Sequence, residues 1–511
     1  MPNNFTPDQT GFSRVFILEG RAGPTHAPNF QSCMMAGGVS HSLGDVEKIE
    51  CPSSDRYDDF VAMGEVTGAE DRPTSSLTGR YAADLASKLL ELKRRKCPND
   101  VQIHIGVCTD PSAFDVFSKN MIWEGARITD YSTEDLGALS SDQRAAVNES
   151  VDLSMEDFYE VLQLTFQRHA DDTITNELVD VVVCDQISCG DCEDESFGCE
   201  KIYAVSLAAG GSPGTPADVV FSLDKGVTWF AHDVDTLQAA EDPTGIACVG
   251  IYIVVVSNDS CSLHYAEKAD ITNLVDPVFT EQATGFVAGN CPNDIWSVGT
   301  LAFIVGDNGY VYSTSDPTGG VSVVDAGVAT SLDLEAVHAL DANFAVAVGD
   351  SGAIVMTANG TTWSVVTPTN VLFTQNWHAV WVKNEREWWI GGATVGGVGQ
   401  LWYTLDGGVT WFMKGADGNP GLPGTYIDIE DISFASDSVM YVSGTIAGPR
   451  GRILRSFNGG YTFLVLPEGT STMPLADQFT AIAACSDDEN FVVGVGLADD
   501  GADGILVIGQ D

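Results

Sequence analysis

One short pattern recurs along the chain and limits what it can fold into. Ser222, Asp224, Gly226, Thr228 and Trp229 keep the spacing of Thr404, Asp406, Gly408, Thr410 and Trp411, and of Ser456, Asn458, Gly460, Thr462 and Phe463. Looser copies fall at Thr314 with Asp316, and at Thr357 with Asn359 and Trp363. Each copy has a physical reading. An apolar strand ends in a hydroxyl residue, an Asx side chain two positions on can bond backbone amides and close a tight turn, glycine supplies unusual backbone angles, and Thr-Trp opens the next strand. The pattern is therefore a hairpin staple, and most of the chain reads as one supersecondary unit copied around a ring.

The acid or amide positions 224, 316, 359, 406 and 458 are separated by 92, 43, 47 and 52 residues, the first interval holding two units with a degenerate one near Tyr265. Such periods fit one four-stranded propeller blade. Gly306-Asp307-Asn308-Gly309 recurs 43 residues later as Gly349-Asp350-Ser351-Gly352, and residues 504–511 superpose on 352–359 and stop at the box acid. The expectation is a seven-bladed propeller over 176–511 whose seventh unit is truncated. Residues 178–183 and 201–207 read as the first two strands of blade one, with the cysteine-rich stretch 184–199 inserted between them.

The boxes resemble the Asp box of sialidase-type β-propellers. That resemblance implies architecture and no activity, because in that family the box sits on the blade hairpin away from the active site. The family's arginine triad also has few candidates here: from 201 onward the arginines are Arg386, Arg450, Arg452 and Arg455.

Residues 1–175 carry no repeat. Apolar alternation at Val101, Ile103, Ile105 and Val107, at Val151, Leu153 and Met155, and at Leu162, Leu164 and Phe166 marks strands with one buried face. One helix is expected over 82–96, with Leu85, Leu89 and Leu92 on one face, Asp84 in the first turn and Cys97-Pro98 ending it. The fold class is thus mainly β: a sandwich or barrel with one packed helix, then the propeller. The runs 14–20, 64–81 and 136–154 resemble a major tail tube protein of long-tailed bacteriophages. The resemblance implies hexameric rings that stack around a DNA-conducting channel, contacts with other tail proteins, a virion location after synthesis in the host cytoplasm, and a propeller decorating the outside, with host-surface glycans as a candidate partner. The competing expectation is a carbohydrate-binding or glycoside-cleaving propeller with a β-rich accessory domain.

Composition bears on these readings. With 72 acidic and 24 basic residues the net charge is −48, a field that repels phosphates and anionic membranes and suits a conduit through which DNA slides without being held. The basic cluster Lys93-Arg94-Arg95-Lys96 reads as a helix-end cap or a subunit contact. No charged leader precedes an apolar segment and no run of eighteen apolar residues occurs, so neither a signal peptide nor membrane insertion is expected.

Twelve cysteines are present, four of them bunched as Cys184, Cys189, Cys192 and Cys199. Disulfides, a zinc or iron–sulfur site and free thiols are all open to such a bunch. Disulfides are favoured, since they would stiffen an acidic loop between two strands in an oxidising setting; the first three spacings match a plant-type iron–sulfur loop, but the fourth cysteine follows too soon, and the two separated knuckles of a zinc ribbon are missing. Connectivity is not readable from spacing. No cofactor, metal or catalytic set is expected: Gly210-Gly211-Ser212-Pro213-Gly214 matches a nucleophile elbow only in letters, since Pro216 and a strand follow it. Glu193-Asp194-Glu195 reads as a solvated charge run and His378 as a packed or rim residue. Trp363, Trp388, Trp389, Trp402 and Trp411 read as blade core.

Overall fold

The computed structural model describes strand backbones between Phe12 and Arg168. From Asn176 onward it describes backbone and side chains, except for residues 185–198 and several shorter loops. The chain divides into two units, Met1–Gln163 and Leu164–Asp511.

The first unit contains two antiparallel sheets. Five strands run in the order Phe30–Met35, Phe12–Glu19, Val101–Val107, Lys119–Glu124, Asp157–Val161, and four in the order Val39–Ser42, Thr74–Arg80, Asn148–Ser154, Arg127–Thr133. The alternation at 101–107 is a strand paired with Phe12–Glu19. The helix expected over 82–96 and the cluster 93–96 lie outside the described residues.

The second unit is a ring of seven four-stranded antiparallel sheets, the seven-bladed propeller expected from the repeat. Blades one to six span 178–233, 243–282, 292–326, 334–365, 377–413 and 426–465. Blade seven takes three strands from the C-terminus, Ala476–Ala484, Val492–Ala498 and Gly504–Gln510, and its outermost strand from Thr165–Arg168, paired Thr165 to Gln510 and Arg168 to Val507. The seventh unit is thus truncated in sequence and complete in space. The alternation around Phe166, read above as part of the N-terminal fold, belongs to this closing strand.

The inner strands are apolar on both faces, as in Tyr252–Ser257, where Ile253 and Val255 pack toward blade one and Val254 and Val256 toward blade three, so the core lies between blades. Between blades seven and one it is built mostly from Leu178, Ile202, Val220, Val493, Val495 and Leu506. Between blades four and five it is aromatic, with Phe344, Phe373, Trp377, Trp388 and Trp411.

Candidate functional site

In blade one, Ser222 Oγ donates to Asp224 Oδ1 (2.9 Å) and accepts from the Gly226 amide (2.8 Å), while Asp224 takes the Thr228 amide (2.8 Å) and hydroxyl (2.6 Å). Trp229 Nε1 returns to the Gly226 carbonyl at 3.0 Å. Blade five repeats this network through Thr404, Asp406, Gly408, Thr410 and Trp411, with corresponding distances between 2.6 and 3.0 Å. Gly408 has φ +85°, and a Cβ there would stand 2.7 Å from the Trp388 ring, so both its conformation and its packing require glycine. Partial burial would raise the Asp406 carboxyl, but the Thr410 hydroxyl and amide outweigh it and hold the group below the usual carboxylate value.

Looser copies keep part of the staple. Asn359 accepts from the amides of Thr361 and Thr362, Asp316 caps a 3-10 turn through the Thr318 amide, and Ser456 Oγ accepts from Gly460. Asn458 and Thr462 lie outside the described residues, whereas Phe463 is buried. Trp363, Trp388, Trp389 and Trp411 are buried, and Trp402 packs against the blade four–five core. These residues shape hairpins and blade contacts, and none converges on a common centre.

The cysteines pair between blades. Cys184 joins Cys248, tying blade one to blade two, and Cys199 joins Cys485, tying blade one to blade seven. Cys261 pairs with Cys291 between blades two and three. The outer members of the bunch therefore reach across seams and do not close their own loop; their partners are cysteines that looked scattered because the neighbouring inner strands are distant in sequence. Cys189, Cys192, Glu193-Asp194-Glu195 and Gly210–Gly214 lie outside the described residues.

The residues that do converge line the central channel, a cavity of about 650 Å³. All seven inner strands shift register, those of blades one to five once near the start and those of blades six and seven twice, and one bulged residue of each strand reaches the wall. Those residues are Val179, Thr244, Asn293, Glu335, His378, Glu430 and Thr480, and all seven line the cavity. They form a ring at one mouth. Sequence reasoning missed it, because the positions share no residue type.

One step beyond this ring, Asp180, Asp294 and Asp431 each bridge to the next blade. Asp180 Oδ2 accepts from the Ile246 amide, Asp294 Oδ2 from Val337 and Asp431 Oδ2 from Ile482, each at 2.8 Å, while the other oxygen takes the amide of the following residue at 2.7 Å. Enclosure by the channel wall raises Asp180 to about 6 against the pull of the two N–H donors. It raises Asp294 to about 7, helped by the charge of Asp180, and lifts Asp431 well above the carboxylate range. With both oxygens committed to backbone donors, these groups tie blades together.

At the mouth, His378 Nδ1 stands 3.5 Å from Glu430 Oε2, an ion-pair distance, and that carboxylate raises the imidazole despite burial. Glu335 is raised by burial first, then by Asp350 and Asp333, and Glu177 by burial and then Glu430. Deeper in the wall, His338 lies between the rings of Trp296 and Trp381, with centroids at 4.2 and 4.1 Å. Burial lowers His338 to about 3, so it stays neutral at physiological pH. Among the described residues no group of three His, Cys, Asp or Glu converges closely enough to hold a metal ion, and no helix is long and apolar enough to cross a membrane.

No protein-family model matches the chain, and no curated protein does. Similar solved structures include YCF48 from Cyanidioschyzon merolae (14% identity, 68% of this chain and 99% of that one, TM-score 0.48). YCF48 bound to D1 peptide gives 14%, 68%, 97% and 0.46, and the WD40 β-propeller domain of Doa1 gives 12%, 68%, 97% and 0.43.

Proposed function

We propose that this chain is a structural subunit of a phage tail tube. Its N-terminal unit, a β-sandwich or barrel with a packed helix at 82–96, assembles into stacked hexameric rings, and the propeller is carried outside as a display module. The propeller is not an enzyme in this reading.

The observation that carries the proposal is how the ring is closed. The strand Thr165–Arg168, which follows directly on Met1–Gln163, completes blade seven, so the propeller is built onto its carrier as one closed appendage. Three interblade disulfides suit a particle working in an oxidising medium. Asp180, Asp294 and Asp431 accept backbone amides of the next blade, a structural role that ties the ring together. Net charge of −48 suits a lumen that passes a polyanion.

Negative-stain electron microscopy of the purified full chain tests the reading. Stacked six-fold rings or tubes with peripheral knobs are expected; a dispersed monomer at every concentration and salt would contradict it.

A further inference from the structure

We infer that the acidic mouth of the propeller channel is a binding site for an organic cation, the lysine or arginine side chain of a basic segment on a partner protein. This goes beyond the tail-tube reading and holds whether or not the chain builds tubes.

The cavity supplies both elements that such a group needs. Glu335, His378 and Glu430 stand on consecutive blades at the mouth; one imidazole can offset one of the two carboxylates, and Glu177 adds a further negative charge beside Glu430. Behind them, Trp296 and Trp381 line the same cavity and are only partly covered, although they lie inside the ring. An ammonium or guanidinium within about 6 Å of such a ring face is attracted by its quadrupole, and more strongly where water is excluded. Neutral His338 between the two rings adds no opposing charge.

Among the described lining residues Lys268 is the sole lysine or arginine, and it sits at the other end of the channel. It follows the third strand of blade two, and its amide bonds the Ile251 carbonyl in the hairpin between that blade's first two strands. An anionic ligand is therefore opposed at the mouth, and among the described residues no three metal ligands converge. The aromatic wall combined with uncompensated carboxylates selects an organic cation.

The test uses the full-length chain, with trilysine, its fully side-chain-acetylated counterpart and a neutral trisaccharide as probes, followed by tryptophan fluorescence and calorimetry. Trilysine is expected to bind and perturb the fluorescence, and the acetylated peptide to lose binding. Glu335→Gln combined with Glu430→Gln should weaken trilysine at least about tenfold, and Trp381→Phe should weaken it while preserving the fold by circular dichroism. Equal trilysine affinity in wild type and both variants would overturn the site, because binding would then follow the general acidic surface. Binding of the trisaccharide in place of trilysine would overturn it in favour of glycan recognition.

Discussion

The two sides of the propeller are held by different chemistry. Among the described residues, the disulfides between blades all lie on blades seven, one, two and the start of three, and the cores shared by blades seven, one and two are mostly aliphatic. Residues 292–465, covering blades three to six, contain no cysteine and eight of the chain's ten tryptophans. There, Phe373 meets Trp377, Trp402 and Trp411 edge-on at 4.9, 5.1 and 5.7 Å. Large rings bury enough area to hold a seam alone, about 150–250 Å² each. The stapled side contains the joint where chain ends meet, where four residue pairs between Thr165–Arg168 and Gly504–Gln510 must keep the circle shut. The covalent bonds stand on the same side of the ring as that joint, beside mostly aliphatic cores.

Substitutions can break this comparison. Trp388→Ala, at the blade four–five core, is expected to cost about 3–5 kcal/mol, measured by chemical denaturation, with the same loss in oxidising and reducing buffer. Removing Cys199–Cys485 by paired alanine substitution should cost about 2–5 kcal/mol, because the bond spans 286 residues. A reductant should destabilise wild type but add less to this variant. If reduction weakened the Trp388→Ala core disproportionately, the two sides would not be separable.

The carboxyl bridges give a smaller, graded effect. Asp294→Asn should cost about 1–3 kcal/mol, since a carboxamide offers one acceptor oxygen where two amides need bonding. Asp180→Asn, at the seam also held by Cys184–Cys248, should do less under oxidising conditions and approach the same loss after reduction. The pH dependence has a definite sign. Asp180 and Asp294 keep their protons to about 6 and about 7 when folded, against an ordinary carboxyl near 3.8, so the folded chain binds more protons and these groups' contribution to stability falls as pH rises from about 4 to 7. Asp294→Asn should flatten that fall. The smallest effect is expected at the box: Thr410→Val should cost about 1 kcal/mol, visible as a small shift in melting temperature.

The blades were legible in sequence wherever the staple is local, because Ser222, Asp224, Gly226 and Thr228 lie within one hairpin and their bonding needs no distant partner. Blade two was visible only as a gap, since its corresponding hairpin carries Glu267 and Ala269 in place of the hydroxyl and acid. The closing strand was not legible: Thr165 pairs with Gln510, and pairing over that distance leaves no local signature. The channel ring escaped for a different reason. A bulge shifts side-chain alternation by one, and the positions it exposes vary from Val179 to His378 according to what the cavity needs and not what the strand needs. His378 reads from the sequence as a packed or rim residue, but its neighbours Glu335 and Glu430 become visible only once three blades are placed side by side.

Peptide mapping of the non-reduced protein by mass spectrometry tests most directly the claim that the ring is stapled across its closing side. Cross-linked peptides joining Cys184 to Cys248, Cys199 to Cys485 and Cys261 to Cys291 are predicted. A bond from Cys184 to Cys199, or free thiols at Cys199 and Cys485 in protein purified without reductant, would contradict it.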